Sequence, residues 1–325
     1  MNEQRLSTVR RIEFAVDWPP GHAAAYLLDV DEPVLVDAGM PAEFGYGDPD
    51  AALDDGLRDA GYDIEDIEHL VVTHPHLDHV GQVPRILDAT DPTVYAPSSV
   101  RERFSRDPDA LAERVRTNAR EAGLAGDQLD EAVEMAVESL RRNAELLPPE
   151  SVDVWLDPGP VDLGPLSAEA IHTPGHQADH LCYLTELNGE RALLAGDMAI
   201  EPFRPIVMHD GLDDGYVDAF DAFYTALDRL DEFEVDRVYP GHGPVHEEFH
   251  DALERDRASL DRQLDRVEGQ LEQGLRTVPG IALSLAGDRS IRYLIPETMS
   301  ALAHLEREGR ATATLDDGVR YYDSV

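Results

Sequence analysis

The sequence predicts a mixed α/β (α+β) protein, a large unit followed by a small one. Three observations carry that expectation. Short apolar runs of strand length recur between residues 23 and 240, separated by helical stretches and by turns bearing Gly or Pro. A charged block at 100–148, poor in Gly and Pro, reads as two or three helices inserted between strands. From about residue 246 the pattern becomes helix, helix, helix and then a hairpin, ATAT-LDDG-VRYY, at 311–322.

In chain order, residues 23–30 (AAAYLLDV) and 34–37 (VLVD) predict two strands around an Asp-Glu-Pro turn. Residues 50–60 form an amphipathic pattern ended by Gly61, as a helix would be. The β-branched run HLVVTH (69–74) predicts a buried strand, with a helix starting near Asp78 and running toward Leu87. TVYAP (93–97) is the next strand, and after Pro148 and Pro149 strands return at 152–156, 169–173, 181–187 and 191–197. A helix is expected at about 218–231, then a strand entering a loop in DRVYPGHG (236–243). Residues 247–274, 278–286 and 296–308 read as the three C-terminal helices. The expected division is therefore a domain over 1–245, with a helical insertion at about 100–150, and a second domain over 246–325 whose element order is winged-helix-like.

Bulk properties narrow the class. A hydrophobic content of 42% over 325 residues is enough for a real core. No apolar run approaches the roughly 18 residues a membrane helix needs. The opening MNEQRLSTVRRIEF has no apolar h-region, so no secretory signal and a cytoplasmic location are expected. Net charge is −40, and all 27 basic residues are Arg. Apolar periodicity persists along the chain, which argues against disorder. The Asp-rich, Lys-free composition resembles that of halophilic proteins, because molar salt shrinks the Debye length to about 3 Å and screens acidic self-repulsion. The lone Cys182, inside LCYL, reads as a small buried core residue and permits no internal disulfide.

The chemistry concentrates in THPHLDH (73–79), where three His and one Asp fall within six residues directly after a predicted buried strand. In an extended segment residues i and i+2 point the same way, so His74 and His76 can face one point. Asp78 and His79, at the turn into the following helix, can face a second. Three further candidates also follow strands: His176 in TPGH, Asp197 ending RALLAGD, and His242 in PGHG. Neighbouring glycines let the backbone turn so that each side chain leaves a strand end. An Asp ending a buried strand is costly unless paired or metal-bound. Imidazole with carboxylate suits Zn, Fe or Mn better than Ca or Mg. Any one of these His residues, taken singly, reads more readily as packing or surface, and His22, His69, His172, His246, His250 and His304 are read that way. His180 and His209 are candidates for a supporting or substrate-facing role, and Tyr239 for substrate contact.

The order His-X-His-X-Asp-His, TPGH, a strand ending in Gly-Asp, then PGHG resembles the metallo-β-lactamase superfamily, in particular its glyoxalase II-like branch, over about residues 10–245. Asp37, in LVDAG, matches the family's early Asp. The resemblance implies an αββα sandwich with metals at one edge, between the sheets. It implies that His74, His76 and His176 bind a first divalent metal, that Asp78, His79 and His242 bind a second, and that Asp197 bridges them, with Asp37 orienting a ligand. Zinc is the metal first expected, and iron or manganese would also suit the set. Two such ions about 3.5–4 Å apart would lower the pKa of a shared water, whose hydroxide would attack a carbonyl or phosphorus, with Asp78 and Asp197 as the catalytic carboxylates.

The expected substrate is a small molecule, a thioester or other small acyl ester, as for a hydroxyacylglutathione hydrolase. The alternatives are an endoribonuclease or phosphodiesterase, a mononuclear-iron persulfide dioxygenase, and a non-catalytic winged-helix regulator sensing a ligand. Nucleic acid is a less expected partner, since the C-terminal arginines are interleaved with acids and only Arg289–Arg292 forms a basic spot. No membrane partner is expected, and the exposed C-terminal unit makes a homodimer plausible.

Overall fold

The computed structural model describes residues 8–325 except 45, 203, 214 and 288–293. Two sheets carry the site. The first contains six strands in chain order: β1 (Thr8–Ala15), β2 (His22–Asp29), β3 (Val34–Val36), β4 (His69–Val71), β5 (Thr93–Pro97) and β6 (Val154–Leu156). β1 to β3 pair antiparallel, and β3 to β6 run parallel. The second contains β7 (Gly159–Leu163), β8 (Leu166–His172), β9 (Leu181–Leu187), β10 (Glu190–Gly196) and β11 (Arg237–Pro240), in the order β11-β10-β9-β8-β7. β10 and β11 are parallel, and the antiparallel steps through β9 make β8 run the same way as both.

Side chains of a strand alternate between faces, and both faces here are covered, so the strands read as continuous apolar runs. In β2, Ala24, Tyr26 and Leu28 pack between the sheets against Tyr183, Ala192 and Leu194. Ala23, Ala25 and Leu27 point the other way, into a helix layer built from α1 (Pro49–Asp59) and α3 (Val83–Ala89). In the second sheet Cys182, Leu184, Leu193 and Ala195 face α7 (Ala219–Leu230) and α8 (Phe249–Glu272). The result is the four-layer αββα arrangement.

The insertion consists of three helices, α4 (Ser98–Phe104), α5 (Pro108–Glu121) and α6 (Asp127–Leu146). After α8 come α9 (Val278–Ala286), α10 (Leu294–Arg307) and the hairpin of β12 (Ala311–Asp316) with β13 (Val319–Ser324). Residues of these elements share one apolar cluster with α7 and the second sheet. The boundary expected at residue 245 falls in the loop between β11 and α8.

Two edge strands escape the sequence patterns. β1 buries only Ile12 and Phe14 of its eight residues, and β7 is mostly exposed or half-buried; both are defined by pairing with their neighbours. The helix expected from Asp78 to Leu87 is two helices, α2 (Leu77–Val80) and α3. The break has a physical cause: the N–H groups of Gly81 and Gln82 donate to Gly39 O at 2.7 Å and Ala38 O at 3.0 Å instead of to the preceding turn. The basic spot at Arg289–Arg292 and the first seven residues lie outside the described residues. Among the described residues, no helix is long and apolar enough to cross a membrane.

Candidate metal centre

The candidate metal ligands and Asp37 all follow the C-terminal ends of strands. Asp37 follows β3, the 74–79 segment follows β4, His176 follows β8, Asp197 follows β10, and His242 follows β11. The fold brings them to one edge between the sheets, where donor atoms within 4.8 Å of one another form three groups: His74/His76/His176, His74/His79/Asp197 and Asp78/His79/His242. His76 Nδ1 lies 3.0 Å from both His74 Nε2 and His176 Nε2. Asp197 Oδ2 stands 3.2 Å from His176 Nε2 and 3.4 Å from His242 Nε2, while Asp78 Oδ2 is 3.2 Å from His242 Nε2. Asp197 Oδ2 thus lies within 3.4 Å of a histidine from each side.

Proton accounting shows which atoms face inward. His79 Nδ1 donates to Asp37 Oδ2 at 2.8 Å, and His242 Nδ1 donates to the His22 carbonyl at 2.8 Å. His176 Nδ1 donates to the Ile206 carbonyl at 3.2 Å. The Thr73 hydroxyl spends its one proton on an Asp37 oxygen, so toward His74 Nδ1 at 3.0 Å it must accept. Four imidazoles thus spend their Nδ1–H outward and turn Nε2 toward the cluster, the pattern by which outer hydrogen bonds orient metal-binding histidines. His79 Nε2 and Asp197 Oδ1 are buried 3.1 Å apart, yet neither makes a hydrogen bond. Orphaned buried polar atoms are expensive, and a cation between them removes the cost. The donor set fits a divalent transition metal.

The electrostatics agree. Burial, then the neighbouring His79, holds His74 well below its ordinary value, and burial with His176 takes His76 down to about 3. Burial likewise lowers His176, against the pull of Asp197. On the acidic side, burial opposes charge on His79 and His242, but the carboxylates prevail. Asp197 and Asp37 raise His79 well above its ordinary value, and Asp197 and Asp78 raise His242 to about 10. Burial would raise Asp78, but His79 and His242 outweigh it and bring it to about 2. Asp197 is held well below its ordinary value by the same contest, with His242 the first opposing partner. The carboxylates are held in their charged form, and a cation would compete with the protons they stabilise on His79 and His242.

Supporting residues explain the rigidity. Asp37 also accepts from the Thr73 backbone N–H at 2.8 Å, which pins the start of the ligand loop. His180 does not face the cleft. Fully buried, it accepts the Asp197 N–H at Nε2 (3.0 Å), which leaves Nδ1–H for the Thr173 hydroxyl at 2.7 Å. Thr173 reaches Cys182 Sγ at 3.3 Å, and the thiol donates to the Ala195 carbonyl at 3.3 Å. Burial pushes that thiol up to about 12, so Cys182 stays a donor. Two glycines are needed here for different reasons. Gly196 sits at φ +48°, and a Cβ there would lie 2.4 Å from His180 Nε2. At Gly241 a Cβ would lie 2.5 Å from His79 Cε1 and 2.7 Å from Asp197 Oδ1. His209, at φ 48°, lines the cavity next to His76 and donates its N–H to the His176 carbonyl at 2.9 Å. Tyr239 packs edge-on against Tyr26, ring centroids 5.4 Å apart, and is not among the residues lining the cavity beside His76. Thr73 and Thr173 were not singled out from the sequence. Each immediately precedes a ligand or its turn, and that adjacency was the available signal.

A cluster of five His and two Asp at the strand ends of an αββα sandwich defines a metallohydrolase-type fold and site. The chain belongs to the metallo-β-lactamase superfamily, whose family model matches residues 18–242. It is 26% identical over 245 residues to a β-lactamase-like protein 2 homolog of Caenorhabditis elegans, across 75% of this chain and 58% of that one. It is 26% identical over 236 residues to a hydroxyacylglutathione hydrolase of Rhodopseudomonas palustris, across 71% and 70%. The chain thus spans little more than half the length of the nematode relative. Among solved structures, a metallo-β-lactamase family protein from Thermus thermophilus superposes with TM-score 0.78 at 22% identity, covering 98% of both chains.

Proposed function

We propose that this protein is a metal-dependent hydrolase acting on a thioester or other small acyl ester. The observation that carries the reading is the inward turn of the Nε2 atoms around Asp197, with His79 Nε2 and Asp197 Oδ1 left without hydrogen bonds. His74, His76 and His176 would hold one divalent ion, Asp78, His79 and His242 a second, and Asp197 both. Such ions, zinc first among them, would supply Lewis acidity to polarise a carbonyl and acidify water. The chain's own residues do the rest. Asp37, Thr73 and His180 hold the ligands in place, and Asp78, kept ionised, would bring negative charge to the second ion.

The similarity to a hydroxyacylglutathione hydrolase supports the thioester class. A phosphodiester reading would want unpaired cations beside the cluster. Arg103 and Arg106, which line the adjacent cavity, are each tied to aspartates: Arg103 to Asp179 and Asp210, Arg106 to Asp213. The C-terminal unit, winged-helix-like in element order, packs on α7 and the second sheet, and we read it as a structural element of the enzyme.

The test is hydrolysis of a hydroxyacyl thioester by zinc-loaded protein in molar KCl, with metal content measured alongside. Turnover is expected, and Asp197→Ala is expected to lose several orders of magnitude of rate together with metal. Full activity in a metal-stripped sample would refute the proposal.

A further inference from the structure

The helical insertion forms one wall of a partly open cavity of about 350 Å³ whose lining includes His76. Of the three histidines in the first group, His76 is the one that remains partly exposed. Much of the lining is apolar: Leu111 from α5, Met135 and Leu140 from α6, and Leu124, Leu212 and Ile295. Open apolar surface of this kind gives up contacts that closer packing would supply, so a pair of helices serving only as a brace would be expected to close on it. Met135 adds an unbranched, adaptable side chain to the wall. The two lining arginines are already paired, as described above, and they hold the 208–213 loop in place as the opposite wall.

We propose that this cavity is an acyl-chain subsite, and that preferred substrates carry an apolar acyl chain longer than acetyl, with the carbonyl at the metal cluster and the chain running between α6 and the 208–213 loop. The inference rests on reading the cluster as a hydrolytic centre, and the experiment separates the two. N-acetylcysteamine thioesters of acetate, butyrate, hexanoate and octanoate are offered to the zinc-loaded full chain in molar KCl. Binding of the non-hydrolysable S-octyl thioether is measured in parallel by calorimetry. For each added methylene, kcat/KM should rise roughly three- to fourfold until the cavity is full. Ala136→Trp, which projects an indole from α6 into the cavity, should flatten that rise and weaken thioether binding. Turnover independent of chain length in the wild type overturns the subsite and leaves the hydrolase standing, as does a rise that Ala136→Trp leaves unchanged. Thioether binding weakened by Ala136→Trp, without turnover of any thioester, supports the subsite and removes the hydrolytic reading. Neither turnover nor binding removes both.

Discussion

Asp37 has a positive φ of 59°, unusual for any residue but glycine. Its carboxylate accepts from the Thr73 backbone, the Thr73 hydroxyl and His79 Nδ1, and these bonds hold the strained turn. On the proposed metal-binding reading Asp37 would aim a ligand without being one, so Asp37→Ala should keep the fold and lower affinity for added zinc about 10- to 100-fold. Competition with a chromophoric chelator reads this directly, and unchanged affinity would mean that Thr73 and the loop suffice. A second buried carboxylate behaves differently. Asp256 on α8 is 2% exposed, and burial pushes it up to about 7 against the pull of Arg255. Its folded value lies above the unfolded one, so the folded state binds the extra proton. Stability from this group is present in full below the unfolded value and is lost as pH rises through about 7. Asp256→Asn should therefore remove a fall in stability between about pH 4 and 7, worth of the order of 2–4 kcal/mol. Denaturation at a series of pH values checks it, and parallel curves for the two proteins would exclude the effect.

At the scale of elements, the insertion is fastened to the body by ions as well as by apolar contact. Asp213, 4% exposed, receives Arg114 at 2.7 Å and also pairs with Arg106, while Arg103 joins Asp179 and Asp210. These contacts join α4, α5 and the segment between them to the loop after β10, and Arg103 also ties α4 to the turn between β8 and β9. Removing Asp213 leaves two arginines facing a buried position. Since both arginines are about a third exposed, solvent softens the loss. Asp213→Ala should cost about 1–3 kcal/mol in chemical denaturation and speed amide exchange in the 208–213 loop. An unchanged midpoint would show that the apolar contacts of α5 and α6 carry the docking unaided.

Across the whole molecule, charge outweighs every other compositional feature. A net −40 on 325 residues means strong self-repulsion at low salt, and the Debye length falls from about 10 Å at 0.1 M to about 3 Å at 1 M. The thermal midpoint should therefore climb as KCl goes from 0.1 to 2 M. Screening also weakens the exposed ion pairs, such as Arg58–Asp55, but each of these contributes little. A midpoint that stays flat or falls with salt would mean that paired charges outweigh the repulsion, and that the composition has another cause.

Much of this was legible in the residues themselves. Spacing is local information: i and i+2 in His74-Pro-His76 point alike in any extended chain, and an Asp closing RALLAGD demands a partner wherever it lands. Alternating faces made β2, β9 and β10 readable because both of their sides are buried. β1 and β7 were not readable, since an edge strand owes its existence to a neighbour and not to its own pattern. The break at Gly81 depends on carbonyls about forty residues earlier, and the role of His180 on an N–H from Asp197, a partner supplied by another strand. The sequence thus determined which side chains can bind a metal and which strands deliver them. Tertiary structure alone decided which nitrogen of each imidazole faces inward, which groups hold it there, and that the insertion leaves an apolar cavity beside His76. Hydrogen-bond partners and enclosed volume arise only where distant segments meet, and no local pattern specifies that meeting.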